Sequence, residues 1–420
     1  MNDVRGGYRS SGAVLALLSS IYAINYIDRQ ILAVVLEPIK QDFRLSDSEL
    51  GLLAGPAFAL FYATMGLPIA MLADRANRTR VIGWSLLCFS VATAACGVAA
   101  SYAQLLLARV LTGIGEAGTG PASQSIITDL YPAERRGRAQ AIYAVGVNIG
   151  IMIAFIAGGY IAFHHGWRMA FIAAGVPGLI LAPLLLRGRL EPVRTGTLNP
   201  TAPTVRECIA FLKGQRAYCW VVLGSGFSAF AGYGIATFVP SFLMRSHGMD
   251  TWEVGLNFAL ILGVGGGIGT YLAGALVDRL SRRDVKWMAR VPILGAVAAL
   301  PFWPLFLLAG DVRFAIAAAV IPLSVSAVYI GPCILMIQAL APSQMRARAA
   351  AIQLFIGNLI GLGLGPQVVG IASDALAPWF GQDSLRYALL IGVAASGVAI
   401  FCYWRASLSL KSGMARAAAE

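Results

Sequence analysis

Charged residues are scarce in this sequence, and that scarcity decides its broad class. Only 12% of the 420 residues are Asp, Glu, Lys or Arg, whereas about a quarter are charged in an ordinary soluble domain. Hydrophobic residues make up 58%, and the mean hydropathy is +0.72. This composition excludes a soluble globular protein and a disordered chain. The sequence is therefore that of an integral membrane protein.

Residues that bind metals or perform catalysis are also few. The six cysteines have no C-x-x-C spacing, and the three histidines, His164, His165 and His247, fall in short polar connections. We therefore expect no disulfide framework, no metal and no cofactor. The motifs G-x-S-x-G and H-E-x-x-H are absent, which disfavours a membrane-embedded enzyme, and the absence of G-x-x-x-x-G-K-[ST] disfavours a pump driven by ATP.

Long apolar stretches alternate with short polar connections along the whole chain. A helix needs roughly 20 apolar residues to cross a bilayer, and barrel strands would alternate in hydrophobicity instead. We predict an all-α membrane protein of twelve transmembrane helices, which we call spans one to twelve, with both termini on one side. The predicted spans are 13–36, 49–72, 81–100, 103–127, 139–162, 169–186, 218–243, 252–276, 288–309, 313–337, 349–373 and 386–404.

The basic residues indicate an orientation. Most of the 32 Lys and Arg residues fall on the side that holds both termini, so the positive-inside rule predicts that both termini are cytoplasmic. The net charge of +12 thus reflects topology and contact with anionic lipid heads, not nucleic-acid binding. High Ala and Arg usage with little Lys indicates a GC-rich bacterium, for which we expect location in the inner membrane.

The two halves of the chain resemble each other. Asp74-Arg75 follows span two, and Asp278-Arg279 follows span eight; the segments entering spans five and eleven also match. Such an internal repeat is typical of transporters built from two pseudo-symmetric bundles. The predicted parts are an N-terminal six-helix bundle (1–186), a cytoplasmic linker (187–217), a C-terminal six-helix bundle (218–404) and a cytoplasmic tail (405–420).

The repeated D-R-x-x-R connections, in a six-plus-six arrangement, resemble the major facilitator superfamily. The likeness covers nearly the whole chain, although Ala70, Asn77 and Ser281 stand where the superfamily motif has glycine. Within the superfamily, INYIDRQ (24–30), ADRANR (73–78) and ARVLTGIGEAGTGPASQSIITDLYP (108–132) look like the spinster branch. Its animal members export sphingosine-1-phosphate or lysophospholipids. The N-Y-x-D-R and R-x6-E pieces also occur in the organic anion:cation symporter branch.

Four charged residues lie deep in the spans of the first half: Asp28, Arg29, Arg109 and Glu116. Charges inside a membrane are costly and are functional by default. We predict that Asp28 and Glu116 exchange protons, with Arg109 as the partner of both, because Arg109 and Glu116 lie two turns apart on one helix face. Arg29 is a further candidate for coupling, or pairs elsewhere. The spinster resemblance implies the same positions; the alternative is a static, charge-neutral cluster.

The acidic and basic connections suggest a conformational gate. The resemblance implies that the acid after span two meets the start of span eleven, near residues 346–349, and that loop arginines reach Asp129. The alternative is that positive-inside topology alone explains the arginines, although it does not explain the recurring aspartate. The predicted gate residues are Asp74, Arg75, Arg78, Asp129, Asp278, Arg279 and Arg282.

The spans of the second half carry no comparable charge. A charged half facing an apolar half suits an anionic amphiphile, such as a lysophospholipid or sphingoid phosphate, bound between the bundles and moved by proton-coupled alternating access. The alternatives are a small organic anion:proton symporter and a passive lipid scramblase. We expect a monomer whose partners are the substrate, protons and membrane lipids. The predicted substrate-binding residues are Arg109, Tyr26, Asn148, Tyr233, Tyr329 and Asn358.

Overall fold

The regular structure of this chain is helical throughout the part that the computed structural model describes. That part comprises residues 4–187, 190–194 and 205–419, and it contains no strand. Residues 188–189 and 195–204, which belong to the predicted linker, lie outside it.

Eight helices, α1 to α8, come before the second half of the chain. Short connections join them, and Ser46, Asn77 and Ser101 cap the N-termini of α2, α4 and α5 through their side-chain oxygens. The helices are α1 (Val4–Phe43), α2 (Asp47–Ala54), α3 (Pro56–Arg75), α4 (Arg78–Gly97), α5 (Tyr102–Glu116), α6 (Thr119–Leu130), α7 (Ala133–Leu186) and α8 (Val205–Lys213).

Eleven further helices, α9 to α19, form the second half, together with two π-helical segments and one 3₁₀ turn. They are α9 (Arg216–His247), α10 (Thr251–Phe258), a π segment (Ala259–Gly265), α11 (Gly266–Leu280), α12 (Trp287–Ala299), α13 (Phe302–Leu307), α14 (Val312–Ser324), α15 (Ile330–Leu340), α16 (Arg346–Asn358), a π segment (Leu359–Leu364), α17 (Gly365–Phe380), a 3₁₀ turn (Gly381–Asp383), α18 (Ser384–Ala388) and α19 (Leu390–Ala419).

The described helices account for all twelve predicted spans. Eight helical runs are long and apolar enough to cross a membrane, and the two longest, Glu134–Leu186 and Arg346–Ala419, each hold two spans. Span ten consists of two shorter apolar helices, α14 and α15. Span four consists of α5 and α6, which carry more polar residues. The prediction of an all-helical, multi-span fold is thus confirmed.

Several spans are interrupted for identifiable reasons. Gly166 has a φ of 82°, which a side chain rarely tolerates, and it separates spans five and six within α7. Span four breaks directly after Glu116, at Ala117 and Gly118. The π segments of spans eight and eleven lie in glycine-rich sequence, and π-helical turns are frequent at functional sites.

The described residues group into two compact units, and each has its own core. Unit 1 draws on the ranges Met1–Leu45, Ala57–Leu198 and Met249–Ala259; unit 2 draws on Ser46–Pro56, Asn199–Gly248 and Leu260–Glu420. Helix α2 therefore groups with the second half of the sequence, and α10 groups with the first. In unit 1, α1 packs along α7, and α4 packs against α5 and α7; in unit 2, α9 packs along α19.

Candidate functional site

A first ion pair joins span one to span four deep inside unit 1. Arg109 Nη1 on α5 lies 3.0 Å from Asp28 Oδ2 on α1, and the two side chains are 2% and 1% exposed. The hydroxyl of Thr93, on α4, donates to the other oxygen of Asp28 at 2.5 Å. The carboxylate therefore has both a counter-charge and a hydrogen-bond donor, which reduce the cost of burying a charge.

A second ion pair joins the same two spans. Arg29 Nε donates to Glu116 Oε1 at 2.7 Å, and Glu116 is fully buried, whereas the Arg29 side chain is 12% exposed. Aromatic rings surround the Arg29 guanidinium: its central carbon lies 4.7 Å from the ring centroid of Tyr62, 5.1 Å from Phe58 and 5.5 Å from Tyr26. Cation–π attraction adds to the ion pair in such an arrangement.

The structure differs from the expectation that Arg109 serves both carboxylates. Each carboxylate instead has its own arginine: Asp28 pairs with Arg109, and Glu116 pairs with Arg29. Asp28 and Arg29 point about 100° apart on α1, so the two side chains face different parts of span four. Arg29 is thus a full member of the cluster.

Glycines let the helices that carry these charges come close together. A Cβ at Gly113 would lie 2.6 Å from the Phe58 carbonyl oxygen on α3, and a Cβ at Gly115 would lie 2.6 Å from the Phe89 nitrogen on α4. Helix α5 can therefore pack backbone to backbone against both neighbours. This packing sets the depth at which Arg109 and Glu116 stand.

Several polar neighbours of the cluster were not predicted. Asn25 donates to Thr119 Oγ1 at 2.6 Å, and Thr119 in turn donates to the Glu116 carbonyl at 2.9 Å. Thr93 contacts Asp28, as described above. A signal for Asn25 exists in the sequence, because it is a polar residue in an apolar span, one helical turn before Arg29. No comparable signal distinguishes a hydroxyl that binds a partner from one that bonds to its own helix.

A cavity lies within unit 2. Helices α9, α12 and α19 line it, together with the interrupted region of span ten, and its wall is mostly aliphatic. Polar and aromatic groups enter the wall at a few points, which are Ser228, Trp303, Ser326, Tyr329 and Ser396.

The predicted substrate-binding residues belong to both units. Arg109 and Tyr26 belong to the charged cluster of unit 1, and Tyr329 lines the cavity of unit 2. The other three are half-buried, and they lie outside the residues that line the cavity: Asn148 on α7, Tyr233 on α9 and Asn358 at the end of α16.

The predicted gate residues separate into a buried site and an exposed set. Arg78 donates to Asp129 at 2.5 Å, to Ser125 at 2.9 Å and to Glu191 at 2.7 Å, so it fastens the start of α4 to the end of α6 and to the first linker residues. Arg78 thus contacts Asp129, as the resemblance implied. The side chains of Asp74, Arg75, Asp278, Arg279 and Arg282 are exposed.

Among the described residues, no group of three or more His, Cys, Asp or Glu side chains is placed to hold a metal ion. All six cysteines are free thiols. Unit 1 offers two buried acid–base pairs, and unit 2 offers a cavity. Such groups can exchange a proton or an anion.

Comparison with known proteins identifies the family. The sequence profile of the Major Facilitator Superfamily matches residues 18–366. The chain belongs to this superfamily. An "MFS-type efflux pump" of Mycolicibacterium smegmatis is 35% identical over 96% of this chain and 94% of the pump. "Protein spinster homolog 1" of Xenopus tropicalis is 27% identical over 91% of this chain and 78% of that protein.

A solved structure confirms the fold and the branch. The crystal structure of a bacterial homolog of the human lysosomal transporter Spinster, in an inward-facing and unoccupied conformation, superposes with a TM-score of 0.86. The two chains are 31% identical, and the match covers 96% of this chain and 98% of the other. The protein is therefore a multi-pass membrane transporter with the superfamily fold and a spinster-like character. This fold is that of transporters, which are not enzymes.

Proposed function

We propose that this protein is a proton-coupled secondary transporter of an anionic amphiphile, such as a lysophospholipid or a sphingoid phosphate. One observation carries the proposal: two carboxylate–arginine pairs, Asp28–Arg109 and Glu116–Arg29, lie buried between spans one and four. A transporter with no use for titrating groups would have little reason to bury four charges in its membrane-spanning part.

The pairs supply a mechanism for exchange. When a buried carboxylate takes up a proton, its arginine loses its counter-charge, and an unpaired buried charge is unfavourable. An anionic head group can then replace the carboxylate, because a guanidinium binds phosphate oxygens through parallel hydrogen bonds. Deprotonation reverses the exchange. Arg29 is the better candidate for the head group, since its side chain is 12% exposed whereas that of Arg109 is 2% exposed.

The cavity in unit 2 supports an amphiphilic substrate. Ligand pockets are mostly lined by hydrophobic and aromatic side chains with a few polar groups, and this cavity has such a lining. Aliphatic side chains and Trp303 suit an acyl chain, and the hydroxyl of Tyr329 offers an anchor for a polar group. A small dicarboxylate would gain little from such a wall.

The test is flux into proteoliposomes under an imposed pH gradient. The probes are lysophosphatidylglycerol, as the anionic amphiphile, and cis,cis-muconate, as a small organic anion. We expect gradient-driven lysolipid flux for the wild type and for Asp284→Asn, an acidic residue of the connection after span eight. We expect that flux to fall at least about tenfold in Glu116→Gln and in Asp28→Asn.

Any result other than the expected one indicates a different function. Flux of muconate alone would support a small organic anion:proton symporter. Lysolipid flux that ignores both the gradient and the two variants would indicate passive lipid translocation and would overturn the proposal.

We further propose that the protein acts as a monomer in the inner membrane, with both termini in the cytoplasm. The distribution of Lys and Arg supports this orientation. In the same proposal, the predicted gate residues named above act as the gate, and alternating access moves the substrate. Reporter fusions at the two ends test the orientation, because a periplasmic reporter should stay inactive at both.

A further inference from the structure

Two buried polar atoms near the second ion pair, Glu116 Oε2 and Asn25 Oδ1, have no hydrogen-bond partner among the described residues. A third buried polar atom, Ser123 Oγ, contacts, within the described part of the chain, only the hydroxyl of Tyr143. The three residues are only 1%, 3% and 1% exposed. Buried polar atoms normally have a partner, and ordered water supplies it where protein does not. The two unpartnered atoms, with Ser123 beside them, therefore indicate a specific site.

The three atoms lie along the contact between α1 and span four, which we call the seam. Asn25 precedes Arg29 by four residues, so both are on one face of α1. Thr119 follows Glu116 by three residues, and Ser123 follows Thr119 by four. Ser123 therefore lies roughly 10 Å beyond Glu116 along span four. The Asn25–Thr119 hydrogen bond of 2.6 Å fixes the two helices against each other one turn below the ion pair.

The Thr119 hydroxyl stabilises this seam but is not part of the proton route. Its hydroxyl accepts from Asn25 and donates its single proton to the Glu116 carbonyl at 2.9 Å. The Asn25 amide group is held by that bond, so its carbonyl oxygen keeps a fixed direction. Ser123 is not fixed in this way; its hydroxyl lies beside that of Tyr143, whose ring stacks on Tyr22 at 4.4 Å.

We propose that this seam binds water between Glu116, Asn25 and Ser123 and forms the route by which Glu116 exchanges its proton with the side of the membrane that holds the N-terminus. This inference rests on the proposed proton coupling. A water that contacts Glu116 Oε2 and Asn25 Oδ1 would have two fixed acceptors, and Ser123 continues the path. The site therefore has the two to four polar contacts that a buried water needs.

The proton balance along this route is simple. The Glu116 carboxyl group gives its proton to the bound water, which passes a proton to Ser123 Oγ, and Ser123 passes its own hydroxyl proton to the Tyr143 oxygen. Tyr143 in turn gives its own hydroxyl proton to water on the side that holds the N-terminus, so one proton reaches that side for each proton that leaves Glu116, and no bond between heavier atoms changes. The titratable and charged groups near Glu116 on the packed elements are Asp28, Arg29, Tyr62, Arg109 and Tyr143.

The experiment measures how fast Glu116 is protonated, without any substrate. The purified full chain in nanodiscs is subjected to a pH jump, and infrared difference spectra follow the carboxyl band that Glu116→Gln removes. We expect protonation to slow at least about tenfold in Ser123→Ala and in Asn25→Leu. Ser123→Thr, which keeps the hydroxyl, should restore most of the rate.

Ser90→Ala is the matched control. Ser90 is likewise fully buried, and its Oγ has no partner among the described residues. It stands on α4 and faces Gly178 of α7, away from the seam. We expect the wild-type rate in this variant. Equal rates in Ser90→Ala, Ser123→Ala and Asn25→Leu would overturn the proposed route.

The two proposals fail separately. If the seam variants slow protonation but no pH gradient drives flux, the route stands and the transport proposal fails. If gradient-driven flux is lost in Glu116→Gln while the seam variants protonate at the normal rate, the transport proposal stands and the route is wrong.

Discussion

Single residues decide the charge chemistry of this transporter. Arg29 and Glu116 form one pair and Asp28 and Arg109 the other, so neutrality is kept locally and not merely over the whole cluster. Removing one partner of a buried pair leaves the other charge uncompensated, which costs about 3 to 5 kcal/mol, whereas removing both costs much less. Stability measurements can therefore test the pairing itself.

We expect Arg29→Met to destabilise the protein through the unpaired Glu116, and Arg29→Met/Glu116→Gln to recover part of the loss. The coupling between the two sites should be about 1 to 3 kcal/mol. Thermal unfolding in detergent gives the four corners of this double-mutant cycle. Additive effects would mean that the contact contributes no stability.

The same cycle on Asp28 and Arg109 provides the comparison. Arg109→Met leaves Asp28 with the hydrogen bond from Thr93, whereas Arg29→Met leaves the equally buried Glu116 side chain without that support. Arg29→Met should therefore lower the unfolding temperature further than Arg109→Met does. The reverse order would show that the Thr93 hydrogen bond does not reduce the cost of the unpaired charge.

At the scale of elements, span four is the critical helix. It carries Arg109 and Glu116, packs closely through Gly113 and Gly115, and breaks directly after Glu116. The close approach to α3 also brings the Phe58 ring to 5.2 Å from the Arg109 guanidinium carbon. The same backbone contacts thus set the position of span four and the surroundings of the Arg109 guanidinium.

Gly113→Ala should therefore damage the site without touching a charged residue. Its Cβ would meet the Phe58 carbonyl oxygen at 2.6 Å, and overpacking of this kind costs about 1 to 3 kcal/mol. Gly120→Ala, in the same span, is the control, because nothing lies within 4 Å of a Cβ there. We expect Gly113→Ala to lower the unfolding temperature and Gly120→Ala to leave it equal or higher. Similar values for the two would contradict this account of the packing.

A second element, α2, is held within unit 2 by acidic residues. Asp374 accepts from the backbone nitrogens of Asp47 and Ser48 at 2.9 and 2.7 Å, and Arg245 donates two hydrogen bonds of 2.8 Å to Asp47. A carboxylate at a helix N-terminus satisfies free N–H groups and favours the helix dipole.

Asp374→Ala should loosen the first turn of α2, at a cost of about 0.5 to 2 kcal/mol. Hydrogen exchange at the amides of Asp47 and Ser48 should become faster. Gln382→Ala, a change at an exposed residue of the 3₁₀ turn that follows α17, should leave these rates unchanged. Unchanged exchange in Asp374→Ala would mean that the remaining contacts, among them Arg245–Asp47 and Ser373–Asp47, are enough to hold α2.

At the scale of the whole molecule, the repeated acidic connections carry the proposed gate. Charge reversal at Asp278 should shift the balance between inward- and outward-open forms, because topology alone does not require this aspartate. Spin labels at the exposed positions Arg138→Cys and Leu408→Cys, with the exposed Cys88 replaced, report the distance between the two halves. Asp278→Lys should change the distance distribution, and Asp284→Lys, a charge change in the same connection, should not. Identical distributions for both would remove Asp278 from the gate.

Much of this organisation could be predicted from the sequence. Twelve apolar stretches and an internal repeat predict the fold because a bilayer admits only fully hydrogen-bonded helices of a set length. The four deep charges could be identified because they stand alone in apolar spans. The Arg78–Asp129 contact followed from the resemblance to the superfamily.

Other features depend on contacts between distant segments. Whether Arg109 or Arg29 meets Glu116 depends on the rotation and depth of two helices, which Gly113 and Gly115 set by close backbone packing. The partners of Asn25 and Ser123, and the cavity at the interruption of span ten, likewise depend on how the helices pack. The sequence by itself determined the class, the spans and the charged residues, since these follow from transfer into lipid. Only the tertiary structure decided which charge pairs with which, since a hydrogen bond needs its atoms within about 3 Å.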